Sequence, residues 1–336
     1  MEPLKLGLIG LGRCGRLVAE ALSESSWCRL VAVGSQKAHR LADFSARHPG
    51  VATYDDYRRL IVNSGLDALC LAVPPFVRSH YLPLAAERRL PVWMLTPAAR
   101  RLAEALETAE LFEAAGVPLV VSRAFGIDPA MQEDAIGADA IGRVFLARGH
   151  VLTCLDDDLD WRGDSGSAGG GVLLDQAYPM IDTLVQVMGM PGSVYTAAGG
   201  SSRPGTRFPY DTEDTAAVIL RYAGGGIGQI AASWTIGPDE ETLHLHGLKA
   251  SVRIDRGVVR VRDRRTGDPR AELPRGANPF APQLEEFLTT LRTSPRKMRS
   301  TLREHLPVMA VMQAVYLSAR TGQPESPGPI LEMHQK

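Results

Sequence analysis

Apolar residues fall in short blocks through the first third of this chain and in longer alternating runs after it. Residues 4–9 (LKLGLI), 29–34 (RLVAVG), 66–73 (LDALCLAV), 91–95 (PVWML) and 117–122 (VPLVVS) are of strand length and largely apolar. Runs of that kind read as strands buried on both faces. Residues 16–22, 38–47, 79–89 and 100–115 read as helices between them, and 53–62 as a short strand end leading into a helix. Strand alternating with helix is the pattern of an α/β fold with a doubly wound parallel sheet.

The pattern changes near residue 125. Long strands are predicted over 142–153, 193–199, 214–222, 226–235, 243–254 and 258–262, with Ala223-Gly224-Gly225 as a hairpin turn. One helix is predicted over 172–188, with Pro179 in its interior, and two more over 282–292 and 301–321. The proline-rich stretch 324–329 reads as an extended arm. A run of antiparallel strands with a covering helix makes an α+β domain. Two domains are therefore expected, 1–124 and 125–336, with the 301–321 helix packing back on the first.

The first strand runs into Gly10, Gly12 and Gly15, separated by Leu11, Arg13 and Cys14. Strand, G-x-G-x-x-G and helix together form the dinucleotide-binding turn of a Rossmann domain. Gly10 permits the tight turn, Gly12 lets backbone approach a pyrophosphate, and Gly15 lets helix pack on strand. The helix N–H groups then face the phosphates. After the second strand come Ser35, Gln36, Lys37 and Arg40. An NAD-specific fold carries an acid there for the ribose. No carboxylate stands here to repel a 2′-phosphate, so NADP is expected ahead of NAD, which stays open. Val73, Pro74 and Pro75 end a central strand and should border the cofactor crevice, with His80 and Arg123 near it.

Composition narrows the partners. The 336 residues are 45% hydrophobic and 22% charged, with a net charge of −1, which speaks against a general nucleic-acid binder. The four cysteines form no C-x-x-C pair, so neither zinc site nor redox dithiol is indicated. No apolar run is long enough to span a bilayer. With a first strand starting beside Met1, a cytoplasmic location is expected.

The layout resembles the glucose–fructose oxidoreductase / inositol dehydrogenase / MocA family. The marks are GLIGLGRCG, LAVPP, Trp161-Arg162, GGGVLLDQAYPMID over 169–182 and YLSARTGQP. The resemblance implies an N-terminal NAD(P)-binding domain and a C-terminal domain whose open-faced, mostly antiparallel sheet forms a homo-oligomer interface. It implies small-molecule substrates of the sugar or cyclitol kind, and places Pro97, Trp161 and Arg162 with the cofactor-binding residues. The family's Glu-Lys-Pro is here Leu95-Thr96-Pro97, and its Asp-x-x-x-His is Asp175 to Pro179. Gly126 stands where an arginine often precedes the Asp-Pro pair, here Asp128-Pro129.

Both usual proton-handling groups are therefore missing. Asp175, Tyr178 and Thr96 are the catalytic substitutes to weigh, each with a plainer role as a packing or hydrogen-bonding residue. The acidic run Asp156, Asp157, Asp158 and Asp160 reads as a solvated loop, and no metal is expected. His244 and His246 read as sheet-face residues. One reading is an NAD(P)-dependent oxidoreductase on a sugar-like or cyclic polyol, with a rebuilt proton relay. The other is a non-catalytic nucleotide-binding sensor or partner subunit. A third, internal oxidation and re-reduction by a retained cofactor, has no positive sign in the residues.

Overall fold

The computed structural model describes residues 2–63, 65–123, 138–155, 159–200, 210–255, 257–274 and 276–334. The chain divides into two compact units: Met1–Ala98, Glu104–Gly126 and Asn278–Glu304 form the first, and Ala99–Ala103, Ile127–Ala277 and His305–Lys336 the second. This departs from a single boundary at residue 124. Residues 278–304 return to the first unit, and the Leu306–Thr321 helix, expected to pack on the first, belongs to the second.

In the first unit, β1 (Leu4–Ile9), β2 (Cys28–Gly34), β3 (Ala52–Tyr54), β4 (Ala68–Leu71), β5 (Val92–Met94) and β6 (Leu119–Val121) form one parallel sheet. Its order is β3-β2-β1-β4-β5-β6. Direction of winding therefore reverses between β1 and β4, the place where such sheets open a ligand crevice at their carboxyl ends. Leu6, Leu8, Ile9, Leu69, Leu71 and Met94 are fully buried. Each such side chain contributes about 1.5–3 kcal/mol relative to exposure. The helix after β4 begins at Pro75, not at residue 79. Proline is tolerated there because a first-turn N–H has no helical partner. The returning helix, Ala281–Thr293, buries Leu284, Phe287 and Leu288, and Phe280 meets Trp93 edge-on at 5.9 Å.

The second unit is built on β7 (Val144–Cys154), β8 (Ser193–Gly199), β9 (Thr215–Arg221), β10 (Ile227–Ser233), β11 (Thr235–Gly247), β12 (Ala250–Asp255), β13 (Val258–Asp263) and β14 (Pro269–Pro274). The order is β14-β13-β12-β11-β7-β10-β9-β8. The β7–β10 pair is parallel and the other described pairs are antiparallel. Leu243, Leu245, Val252 and Ile254 point to the buried face.

Three expectations are corrected here. The single strand over 243–254 is a hairpin, β11 and β12, turning at Leu248-Lys249. Two consecutive alternating strands look like one here because the turn itself is Leu248-Lys249, while Gly247 beside it still pairs within β11. The expected extended arm instead runs into a helix, Pro327–His334. Pro179 is not interior to its helix. A π-helical turn, Leu173–Ala177, comes first, and the α-helix proper is Tyr178–Met188, with Pro179 in its first turn. No helix among the described residues is long and apolar enough to cross a membrane.

Candidate active site

The glycine turn is built as the spacing predicts. Gly10 has φ +104, and a Cβ on it would lie 2.3 Å from the Ala72 carbonyl oxygen. A Cβ on Gly15 would lie 2.0 Å from the Gly10 carbonyl oxygen. Strand, turn and helix are therefore packed as closely as glycine allows. Gly12 is different: a Cβ there would meet only the Arg40 guanidinium, at 3.8 Å. That open space lies at the start of the Arg13–Glu24 helix, which has no side-chain cap and no acid in its first turn. A bare, electropositive helix start beside an open glycine fits a pyrophosphate. Arg13 and Cys14 are exposed on the same turn. Among the described residues the four cysteines are free thiols.

Past β2, Ser35 is buried and its Oγ accepts the Lys37 backbone N–H at 3.2 Å. Gln36 and Lys37 are exposed, and Arg40 is half-buried. Tyr57 supports this turn by hydrogen-bonding the Gln36 backbone; burial pushes its phenol pKa up. Val73 and Pro74 are half-buried and Pro75 is buried, while His80 is exposed on the following helix. Arg123 is tied within its own unit, to Glu304 at 3.2 Å and to Gln283 through its backbone N–H.

Thr96 and Pro97 follow β5 through a cis peptide bond. The Thr96 N–H donates to Ser122 Oγ at 3.0 Å. Arg78, 2% exposed, donates to the carbonyls of Leu95 and of Pro97, the latter at 2.8 Å. Sequence reasoning missed this arginine. On a helix it resembles any solvated cation, and its buried carbonyl partners lie seventeen and nineteen residues away.

In the second unit, Arg162 and Asp175 form an ion pair, Nε to Oδ2 at 2.9 Å. The Arg162 guanidinium also lies over the Trp161 ring, 4.6 Å from its centroid. The structure thus joins three singled-out residues in one half-buried cluster. Asp175 sits in the π-helical turn, an irregularity frequent at functional sites. Glu213 holds the start of that turn by accepting N–H groups of Gly171 at 2.8 Å and Leu173 at 3.0 Å, and the Tyr316 hydroxyl at 2.9 Å. Burial raises the Glu213 carboxyl pKa despite these bonds. The glycines before the turn are steric necessities. A Cβ on Gly170 would lie 1.9 Å from the Tyr316 hydroxyl, and one on Gly171 would lie 2.0 Å from the Glu213 carbonyl oxygen.

Tyr178 does not join this cluster. Its side chain is fully buried, and its hydroxyl lies 2.9 Å from Nδ1 of His305, also fully buried. The reading of Tyr178 as a proton donor to substrate is corrected: its hydroxyl is committed to the core. Asp156, Asp157, Asp158, Gly126, Asp128 and Pro129 lie outside the described residues. Among the described residues no group of three or more His, Cys, Asp or Glu is placed to hold a metal ion.

A Rossmann unit with a dinucleotide turn, joined in one chain to a unit built on a large mixed sheet, defines a class of two-unit nicotinamide-dependent dehydrogenases. Residues 4–123 match the family model "Oxidoreductase family, NAD-binding Rossmann fold", and residues 132–253 match "GFO/IDH/MocA C-terminal domain". The chain belongs to the Gfo/Idh/MocA oxidoreductase family. It is 26% identical over 339 residues to D-xylose 1-dehydrogenase (NADP(+)) 2 of Haloferax volcanii, covering 94% of this chain and 97% of that protein. It is 24% identical over 286 residues to levoglucosan dehydrogenase of Pseudarthrobacter phenanthrenivorans, covering 75% and 73%. The fold superposes on a solved levoglucosan dehydrogenase in complex with NADH and levoglucosan with a TM-score of 0.85, at 19% identity, over 97% of this chain and 100% of that one.

Proposed function

We propose that the chain is an NADP-dependent dehydrogenase that oxidises one hydroxyl of a sugar-like or cyclic polyol, or reduces the matching ketone. The observation that carries this reading is the Gly10–Gly12–Gly15 turn, closed at its outer glycines and open at Gly12. Its backbone holds the pyrophosphate, with Arg13 and Cys14 on the same turn. Ser35, Gln36, Lys37 and Arg40 hold the 2′-phosphate, where guanidinium pairing with phosphate is strong and directional. The NADP-dependent xylose dehydrogenase relative supports that preference. Bound there, the dinucleotide supplies the hydride acceptor and donor.

The proton is handled by an unusual set of groups. Pro179 has no proton to give, and Thr96 serves as a hydrogen-bonding residue only. Asp175 accepts the proton of the reacting hydroxyl. Arg162, fixed by Asp175 and Trp161, donates a hydrogen bond to the substrate oxygen and stays charged throughout. Substrate turnover is read from nicotinamide absorbance with purified chain, NADP or NAD, and a panel of polyols and ketoses. Asp175→Asn lowers kcat by about 10²–10⁴, the usual worth of general acid–base help, with NADP affinity unchanged. Arg40→Ala raises the KM for NADP at least tenfold and leaves NAD nearly untouched. Full activity in the Asp175 variant overturns the proton assignment. Failure of either dinucleotide to bind overturns the whole reading.

The exposed side chains Tyr195, Ile219 and Ile227 lie on adjoining strands β8, β9 and β10. We read this apolar half of the sheet face as the seat of a second copy, which sedimentation of the purified chain tests.

A further inference from the structure

The other half of the same sheet face carries a row of cations. Arg148 on β7 stands opposite His244 on β11, His244 opposite Arg253 on β12, and Arg253 opposite Arg260 on β13. One row along, His246 faces Ser251, and Ser251 faces Arg262. Like charges placed directly opposite on neighbouring strands destabilise a sheet. Here basic side chains repeat across four strands.

The carboxylates nearby cover only part of this charge. Asp255 pairs with Arg253 at 2.8 Å and Arg260 at 3.1 Å, Glu272 on β14 with Arg260 at 3.3 Å, and Glu240 on β11 with His150 on β7 at 2.8 Å. Among the described residues, Arg148, Arg262, His244 and His246 have no carboxylate within ion-pair distance. Among the described residues, Arg262 donates to the Gly267 carbonyl, at 3.1 Å. His246 Nδ1 meets Ser251 Oγ at 3.2 Å, while its Nε2 is buried with no hydrogen-bond partner.

His244, His246, Ser251, Arg253, Arg260 and Arg262 line a cavity of about 440 Å³. We infer that this cavity binds a phosphate-type oxyanion. A tetrahedral anion accepts several hydrogen bonds at once, which suits the guanidinium and imidazole side chains lining this cavity. The anion also relieves the cross-strand repulsion. Burial pushes both imidazole pKa values down, and nearby Arg148 pushes them further, as does Arg253 for His244. A bound anion opposes that shift and raises both imidazole pKa values. The chemistry is the same for free phosphate and for a phosphoryl group on a small metabolite. The site lies outside both the glycine turn and the Asp175 cluster, so it stands or falls apart from the proposed activity.

The test follows the His244 and His246 ring resonances by NMR in phosphate-free buffer of fixed ionic strength. Inorganic phosphate is added in one arm and glycerol phosphate in the other. The expected result is a saturable shift of both rings, a rise in their pKa values, and at least tenfold weaker binding in Arg262→Gln and in Arg253→Gln. Equal affinity for the two probes identifies the free ion as sufficient. Tenfold tighter binding of glycerol phosphate identifies a phosphorylated metabolite. No saturable shift with either probe overturns the inference, and so does an unchanged affinity in a folded Arg262→Gln variant.

Discussion

The Tyr178 hydroxyl and His305 Nδ1 are 2.9 Å apart with both side chains at 0% exposure, 127 residues apart in sequence. Asp182 Oδ1 lies 3.9 Å from the same nitrogen. This is core architecture. Tyr178→Phe keeps the ring and removes one buried hydrogen bond, leaving the His305 nitrogen without it. Unfolding by urea should show a loss of about 1–3 kcal/mol. The pH dependence of turnover should not move, whereas a proton donor's removal would shift it.

Arg78 acts by holding backbone. Its guanidinium fixes the carbonyls on either side of Thr96, at Leu95 and Pro97. Arg78→Met fits the helix but strands two acceptors in a buried place, and hydrogen bonds to a charged group are worth about 1.5–3 kcal/mol each. The variant should lose about 2–4 kcal/mol in urea unfolding. Arg78→Lys should recover part of it, since one ammonium cannot span both carbonyls with a planar fork.

These two cases mark where sequence reading succeeds and where it stops. β1 and the glycine turn were legible because strand length, glycine spacing and helix start all lie within residues 4–16, although the Ala72 carbonyl that crowds Gly10 comes from just past β4. Trp161, Arg162 and Asp175 were legible as separate marks, but their union at 2.9 and 4.6 Å was not. Tyr178 was weighed as a proton donor for standing beside Pro179, and its partner His305, 127 residues on, leaves no local mark in the sequence. The π-helical turn before Tyr178 changes which way each side chain faces. That the helix burying Leu284, Phe287 and Leu288 fills the first unit was not legible, because that is a contact across the whole chain.

Acid should loosen the Asp263 turn between β13 and β14 only well below the ordinary carboxylate range. Asp263 accepts backbone N–H groups of Thr266 and Arg265 and pairs with Arg270, which together hold its pKa at about 2 against an ordinary 3.8. A carboxyl with a depressed folded value stabilises fully above 3.8 and loses that contribution as pH falls through about 2. Amide resonances of Arg265 and Thr266 should shift over that window. Asp263→Asn should show no such titration, and a midpoint near 3.8 in the parent chain would contradict the bonding seen here.

Gly12 and Gly15 should respond oppositely to the same small change. On Gly15 a methyl group would sit 2.0 Å from a backbone oxygen, so strand and helix must separate. Overpacking of that kind costs about 1–3 kcal/mol or more, and Gly15→Ala should lower the urea midpoint. On Gly12 the methyl group meets open space, its nearest neighbour an arginine tip at 3.8 Å. With φ at −71, alanine is also conformationally ordinary there. Gly12→Ala should therefore fold within about 1 kcal/mol of the parent chain. Its methyl group would occupy the space a pyrophosphate needs, so calorimetry should find NADP affinity down at least tenfold. A stable Gly12→Ala protein that binds the dinucleotide as tightly as the parent would show that the phosphates do not approach this turn.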